Sequence, residues 1–163
     1  VPDKITAVDI EGKTFEVPVS ELSWRPSAYG IVIKDDAVLL VRQFSTKHDL
    51  PGGGVDLGET PEEAVVREMK EETGLQVVNP TFIGFTSNFF TFSHAAHNTS
   101  QCLLFYYVCE FVHGEISTDG FGEWEKQYAQ IAEWVPLGKL DAIVPASSID
   151  FRDYIKKAAK RAV

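Results

Sequence analysis

The segment from Thr60 to Gly74, TPEEAVVREMKEETG, has less conformational choice than any other part of this chain. Thr60 suits the N-cap, Pro61 suits the first helical position, and Glu63 completes a Thr-x-x-Glu capping box that satisfies two backbone N–H groups at the helix start. Gly74 supplies a left-handed stop. A helix over Pro61 to Thr73 is therefore predicted with both ends defined, and its faces follow at about 100° per residue. With Ala64 at the origin, Glu71, Glu68 and Glu72 fall at roughly −20°, 40° and 80°, and Arg67 lies beside them near −60°. Val65, Met69 and Val66 form an adjoining apolar stripe, while Glu63 and Lys70 are left towards water.

Three carboxylates on one face repel, at a few tenths of a kcal/mol for each exposed pair and more when partly buried. Two readings of the spacing stand open: an ion-pair face, or a site for a hard divalent cation, which takes oxygen ligands and keeps room for water and phosphate. The preceding loop, Leu50-Pro51-Gly52-Gly53-Gly54, weighs towards the cation. Consecutive glycines permit positive φ and close backbone approach, so a carbonyl or amide can be aimed at a ligand.

Composition sets the frame around this helix. A chain of 163 residues, 44% of them hydrophobic, suffices for one domain with a sizeable core, and a single domain over 1–163 is expected. Twenty-four acidic residues against 15 Lys and Arg argue against a nucleic-acid-binding surface, which needs basic stripes. A phosphorylated substrate remains compatible, provided cations stand between the two sets of negative charge. No window has 18 or more uncharged apolar residues, and the amino-terminal VPDKITAVDIEGK lacks the pattern of a signal peptide, so no membrane partner and a cytoplasmic location are expected. Cys102 and Cys109, in one extended run, point to opposite faces and are not expected to bridge.

Along the chain, KITAVDI and TFEVPVS alternate around a Gly-containing turn and read as an amino-terminal β-hairpin within residues 1–23. AYGIVIK and AVLLVRQF flank Asp35-Asp36 as a second hairpin-like pair, with continuous apolar runs suited to central strands. QVVNPTFIGFTSNFF and QCLLFYYVCEFVHGEI read as strands around a polar loop, and YAQIAEWVPL as a strand ending near Pro136. The tail from Ser147 to Ala162 carries apolar residues at helical spacing, and its basic residues are assigned no function. The expected architecture is α/β: a mixed sheet with helices on its faces, an α/β/α sandwich in the broad sense.

Gly53, five residues, Glu59, seven residues, then Arg67-Glu68-Met69-Lys70-Glu71-Glu72-Thr73-Gly74-Leu75 fills every fixed position of G-x5-E-x7-R-E-U-x-E-E-x-G-U, with U a large aliphatic residue. The chain thus resembles the Nudix hydrolase family. The resemblance implies Mg²⁺- or Mn²⁺-dependent hydrolysis of a nucleoside diphosphate linked to another group X. It implies Glu68, Glu71 and Glu72 as metal ligands, with a further oxygen from the carbonyl of Gly53 or Gly52, and structural roles for Glu59 and Arg67. Glu68 is the first candidate for the general base; in family members the base can also come from a later loop, here GFGEWEKQ, with Glu125 preferred over Glu123.

Substrate signals beyond the motif are sparse. The Pro and Tyr that mark ADP-ribose and dinucleoside-polyphosphate subgroups are missing near Phe90, and the SQPWPFPxS array of NADH-type members and the upstream motif of coenzyme A types are missing too, which leaves a small nucleotide, a nucleoside triphosphate or a nucleotide sugar. Phe89 and Phe90 are the candidates for stacking a base, and Arg25 and Arg42 for touching phosphate or base. Strand alternation assigns most of the other aromatics, Phe82 and Phe85 among them, to the core. His94 and His97 read as a polar loop, and His48 as a candidate to line the cleft. Two further functions stand beside the hydrolase: a prenyl diphosphate isomerase, which wants a cysteine in the cleft, and a non-catalytic nucleotide sensor, which usually loses motif carboxylates. The amino-terminal hairpin offers an edge for a homodimer.

Overall fold

The computed structural model describes residues 2–9, 12–43, 46–91, 98–123, 126, 129–146 and 149–161. Strands β1 (Lys4–Val8) and β2 (Thr14–Pro18) form the expected amino-terminal hairpin, in register from Lys4↔Pro18 to Val8↔Thr14. Then follow β3 (Ser23–Ile31), β4 (Ile33–Lys34), β5 (Ala37–Gln43), β6 (His48–Asp49), β7 (Gly52–Gly54), α1 (Pro61–Thr73), β8 (Gln76–Thr91), β9 (Thr99–His113), β10 (Ala129–Pro136) and α2 (Arg152–Ala159).

These strands build two sheets, a larger mixed one and a smaller antiparallel one, where the sequence suggests a single mixed sheet. The larger has the order β2-β1-β8-β9-β3-β7, and the smaller the order β10-β5-β4 with β6 paired to β5. The hairpin expected around Asp35-Asp36 forms only over the end of AYGIVIK, where Ile33 and Lys34 pair with Val38 and Ala37. That segment is shared between β3, which runs parallel to β9, and β4, which alone of the two pairs with β5. The chain passes between the sheets at Val32, which is fully buried, and a strand buried on both faces carries no periodicity to reveal which sheet it joins.

Alternation along the central strands divides the interior into two cores. Leu39 and Val41 of β5 join Ala28, Val65, Met69 and Tyr107 beneath α1, whereas Val38 and Leu40 join Ile31, Leu104, Tyr106, Phe151 and Ile155 beneath α2. The result is the expected α/β/α layering. Close docking of α1 depends on Gly30 of β3, where a β-carbon would stand 2.6 Å from Cε of the fully buried Met69. The tail helix is shorter than the sequence reading: α2 begins at Arg152, and Ser147 and Ala162 lie outside the described residues. Cys102 and Cys109 both lie on β9, free and in opposite cores, as alternation requires.

The aromatic reading needs one correction. Phe82 and Phe85 are 48% and 59% exposed. The register of β8 against β9 shifts between Phe82 and Gly84, so Ile83 and Gly84 both turn towards α2 while Phe82 and Phe85 both project from the other face. Period-two alternation across a bulge misplaces one of each such pair. No helix among the described residues is long and apolar enough to cross a membrane.

Candidate active site

The helix ends are as the sequence predicts. Thr60 Oγ1 accepts from the Glu63 N–H at 3.2 Å, Glu63 Oε2 accepts from the Thr60 N–H at 2.8 Å, and Gly74 is left-handed with φ 75°. What the ends position is a helix whose acidic face lies along a strand made entirely of glycine. The Gly52 N–H donates to Glu72 Oε2 at 2.8 Å. A β-carbon at Gly53 would stand 2.5 Å from Glu68 Oε1. The Gly54 carbonyl accepts from Arg67 Nη2 at 2.9 Å. Along its other edge β7 pairs with β3 from Ser27↔Gly54 to Tyr29↔Gly52, which fixes the glycines relative to the large sheet.

Arg67 orders the rest of this face. Its Nη2 and Nε donate to the two carboxylate oxygens of Glu59 at 2.6 and 3.2 Å, a two-pronged contact, while Nη1 reaches Glu68 Oε1 at 2.9 Å and Glu71 Oε2 at 3.0 Å. Glu59 is tied down further by the Asp56 N–H at 2.8 Å. These bonds, Arg67 first, hold the Glu59 carboxyl below its usual value of 4.5. In return, the bond from Glu59 raises the Arg67 pKa still higher, so the guanidinium stays charged at any accessible pH.

Arg67, Glu68, Glu71 and Glu72 open onto a cleft of about 340 Å³ whose far wall is Gly120, Phe121 and Gly122. That wall lies close: a β-carbon at Gly120 would stand 2.4 Å from the Glu71 carbonyl oxygen, and the Ser117 N–H donates to the Thr73 carbonyl at 3.0 Å. The three carboxylates share the cleft without converging on one point, since Glu68 and Glu71 turn to Arg67 and Glu72 to the Gly52 amide. Accordingly no three His, Cys, Asp or Glu side chains among the described residues form a ready-made cage for an ion.

The other residues singled out from the sequence are dispersed. Arg25 reaches the edge of the glycine strand, where a β-carbon at Gly54 would meet its Nη2 at 3.4 Å. Arg42 is exposed on β5 in the smaller sheet and does not line the carboxylate cleft. Phe89 and Phe90 are neighbours on β8, but alternation sends them to opposite faces, and Phe90 packs against the core beneath α2. His48 bonds Glu133 Oε1 through Nε2 at 2.8 Å, bridging β6 to β10. Glu123 is exposed and paired with Lys126 at 2.8 Å, while Glu125, His94 and His97 lie outside the described residues.

Two features escape sequence reasoning. One is the Gly120-Phe121-Gly122 wall, whose only signal is a small-large-small run in a loop read for its acids. The other is Asp49, just before the glycines. Burial pushes its carboxyl up from 3.8 to about 7, and the Asp49 charge, after burial itself, raises the pKa values of Tyr29 and Tyr106. Adjacent residues in sequence gave no warning, because the aromatic neighbours come from β3 and β9.

A carboxylate helix clamped to a glycine strand, in a fold of one mixed and one antiparallel sheet with a core beneath each of two helices, defines the Nudix class of α/β protein. A sequence model of the NUDIX domain matches residues 24–155, and the chain belongs to the Nudix family. It is 56% identical over 50 residues to the ADP-ribose pyrophosphatase of Methanocaldococcus jannaschii, a match covering 28% of this chain and 30% of that protein. It is 32% identical over 130 residues to the NAD-capped RNA hydrolase NudC of Pseudomonas aeruginosa, covering 76% of this chain and 40% of that one. The chain therefore spans well under half the length of these curated relatives. The crystal structure of the MutT protein from Bacillus halodurans superposes with a TM-score of 0.63 at 26% identity, over 81% of this chain and 80% of that one.

Proposed function

We propose that this chain hydrolyses the pyrophosphate linkage of a nucleoside diphosphate joined to another group X, with Mg²⁺ or Mn²⁺. The observation that carries the reading is the contact between β7 and α1, which brings Glu72, Glu68 and Arg67 against three successive glycines at the mouth of one cleft. The donor set suits a hard cation: three carboxylates and a Gly53 backbone with no β-carbon, where a side chain would fill the space Glu68 occupies. Glu68, Glu71, Glu72 and the Gly53 carbonyl are the residues that would hold the ion. When bound, it neutralises phosphate charge and acidifies water.

The chain's own groups do the rest. Arg67, itself held by Glu59, keeps Glu68 and Glu71 in position, and the Gly52 amide orients Glu72. Glu68, at 13% side-chain exposure and bonded to Arg67, is the first candidate to take the proton from the attacking water, with Glu125 as the alternative acceptor. Phe121 shields the opposite side of the cleft from bulk water. The names of the two relatives favour a substrate with two phosphates between an adenine nucleoside and a second group, against the missing Pro near Phe90 that marks the ADP-ribose subgroup. Both cysteines lie in the cores, and burial pushes their thiols up, Cys109 to about 12, so neither supplies the cleft thiol that an isomerase wants.

The test is a panel of ADP-ribose, NAD, nucleoside triphosphates and nucleotide sugars with Mg²⁺ or Mn²⁺, scored for released phosphate, pyrophosphate or nucleoside monophosphate. The expected result is cleavage of at least one member by wild type and a loss of about 100-fold or more in Glu72→Gln. Uniform inactivity of wild type, or Glu72→Gln cleaving at the wild-type rate, overturns the reading.

A further inference from the structure

The last turn of α1 carries Glu71 and Glu72, and the segment that leaves β9 wraps around it. A β-carbon at Gly114 would stand 2.8 Å from the Gly74 carbonyl oxygen, and one at Gly74 would stand 2.6 Å from that of Glu115. The Ser117 N–H then satisfies the Thr73 carbonyl at 3.0 Å, an acceptor that the helix end leaves without a partner of its own. Beyond Ser117 the chain folds back on itself. The Asp119 N–H donates to Ser117 Oγ and the Phe121 N–H to the Thr118 carbonyl, at 3.0 and 3.1 Å, and Phe121 enters the core beneath α1. Held on both sides in this way, Gly120 comes down on the main chain of Glu71, its β-carbon position 2.7 Å from Cα and 2.9 Å from the carbonyl carbon.

Glycine at 120 answers to that contact and not to a turn. Its φ lies outside the left-handed region, so the backbone there would accept a side chain. What excludes one is the neighbour, which is helix backbone and cannot swing aside as the Glu68 carboxylate can at Gly53. Gly138 gives the comparison: its φ is ordinary too, and nothing lies within 4 Å of its β-carbon position. The two surfaces that meet at Gly120 are the two walls of the cleft, with Glu71 and Glu72 on one and Gly120, Phe121 and Gly122 on the other. An ordinary carbon–carbon contact is about 3.5–4.0 Å, so a methyl group at 120 has to lift its wall by about 1 Å. A displacement of that size, at a site that works by positioning, costs about 100-fold in rate.

We propose that Gly120 is a positioning residue for the hydrolysis: by seating residues 117–122 on the main chain of Glu71, it fixes the gap across which the diphosphate is held. The inference rests on the hydrolase reading above. Gly120 need touch neither substrate nor ion, because it acts through Glu71 on one wall and through Phe121 on the other. A fixed gap keeps the phosphates against the carboxylates and bulk water out. The acidic run from Glu123, which includes Glu125, starts from the same seat.

The test compares the full chain with Gly120→Ala and Gly138→Ala in three measurements. These are kcat and KM on a panel member that wild type cleaves, Mn²⁺ binding without substrate by electron paramagnetic resonance, and amide hydrogen exchange. Gly120→Ala is expected to lose about 10- to 100-fold in kcat, with KM and the Mn²⁺ dissociation constant within about threefold of wild type and the Mn²⁺ stoichiometry unchanged. Its Ser117 and Phe121 amides are expected to exchange about tenfold faster or more, while those of Val65 and Met69 inside α1 keep their protection. Gly138→Ala is expected to match wild type throughout. Wild-type kcat or wild-type exchange in Gly120→Ala overturns the proposal, as does an equal loss of kcat in Gly138→Ala. A merely structural role is read as kcat and Mn²⁺ stoichiometry falling in the same proportion, or as Val65 and Met69 losing protection too, and either result also overturns it. Wild type that cleaves no panel member overturns the hydrolase reading, and the proposal falls with it; every other adverse result counts against the seat at Gly120 alone.

Discussion

Two adjacent glycines make opposite demands on this molecule. At Gly53 an added β-carbon meets the far end of the Glu68 side chain, at 2.5 Å from Oε1, and a carboxylate can swing aside. At Gly52 it meets the Ala28 carbonyl oxygen at 2.2 Å, which is backbone inside the β3–β7 ladder, and φ there is 149°. Gly53→Ala is therefore expected to fold with a melting temperature within a few degrees of wild type, yet to lose about 100-fold or more in kcat/KM as Glu68 is displaced. Gly52→Ala is expected to lose more than about 2 kcal/mol of stability by urea unfolding. Equal thermal shifts in the two variants would contradict this division. The glycine run is plain in the sequence, but which glycine guards the fold and which guards the site is not, because that depends on β3 and α1 approaching from opposite sides.

At the scale of elements, the acidic helix was legible almost to the atom. Its cap, box and stop are local hydrogen-bonding requirements, each satisfied by residues within four positions of one another. Thr60→Ala is expected to cost about 1 kcal/mol of stability while leaving the wild-type KM for metal and substrate unchanged, since the cap lies at the opposite end of α1 from Glu72. Chemical denaturation with a parallel activity assay checks both parts. The tight turn before β5 offers the reverse change. Asp35 and Asp36 both sit at positive φ, 48° and 61°, so Asp36→Gly is expected to raise stability by about 0.5–1 kcal/mol; a loss in urea melts would count against that strain. Strand pairing was less legible. The runs around that turn are apolar on both faces, and a pattern without a period does not say which sheet a strand enters; the bulge in β8 hides for the same reason.

For the whole molecule, two carboxylates give stability opposite dependences on pH. Glu59 is held below 4.5 by Arg67, so its contribution is complete above that value and fades as pH falls through the lowered one. Asp49 is raised from 3.8 to about 7, so the native state keeps a proton that the unfolded chain releases, and stability declines as pH rises between those two values. Repulsion within a chain of net charge −9 acts in the same direction as Asp49. Wild type is expected to melt highest near pH 5. Asp49→Asn, which keeps an oxygen to accept the Leu50 N–H, is expected to gain about 1–2 kcal/mol at pH 8 and almost nothing at pH 4. Calorimetry at several pH values reads the difference, and a gain that is equal at both ends would remove Asp49 as its source.

By itself the sequence determined the helix, the identity and order of its carboxylates, and the spacing to Gly53 and Glu59 that marks the family. All of these are short-range, set by hydrogen bonds and side-chain periodicity within one stretch of about 20 residues. Tertiary structure alone decided how those groups are presented. Sheet pairing brings the glycine strand to the helix, the Gly120-Phe121-Gly122 wall closes the cleft, half-buried Asp49 acts on Tyr29 and Tyr106 of other strands, and Trp24, Phe82 and Phe85 are left exposed. Each depends on segments far apart in the chain meeting in a single register, and no local pattern records that meeting.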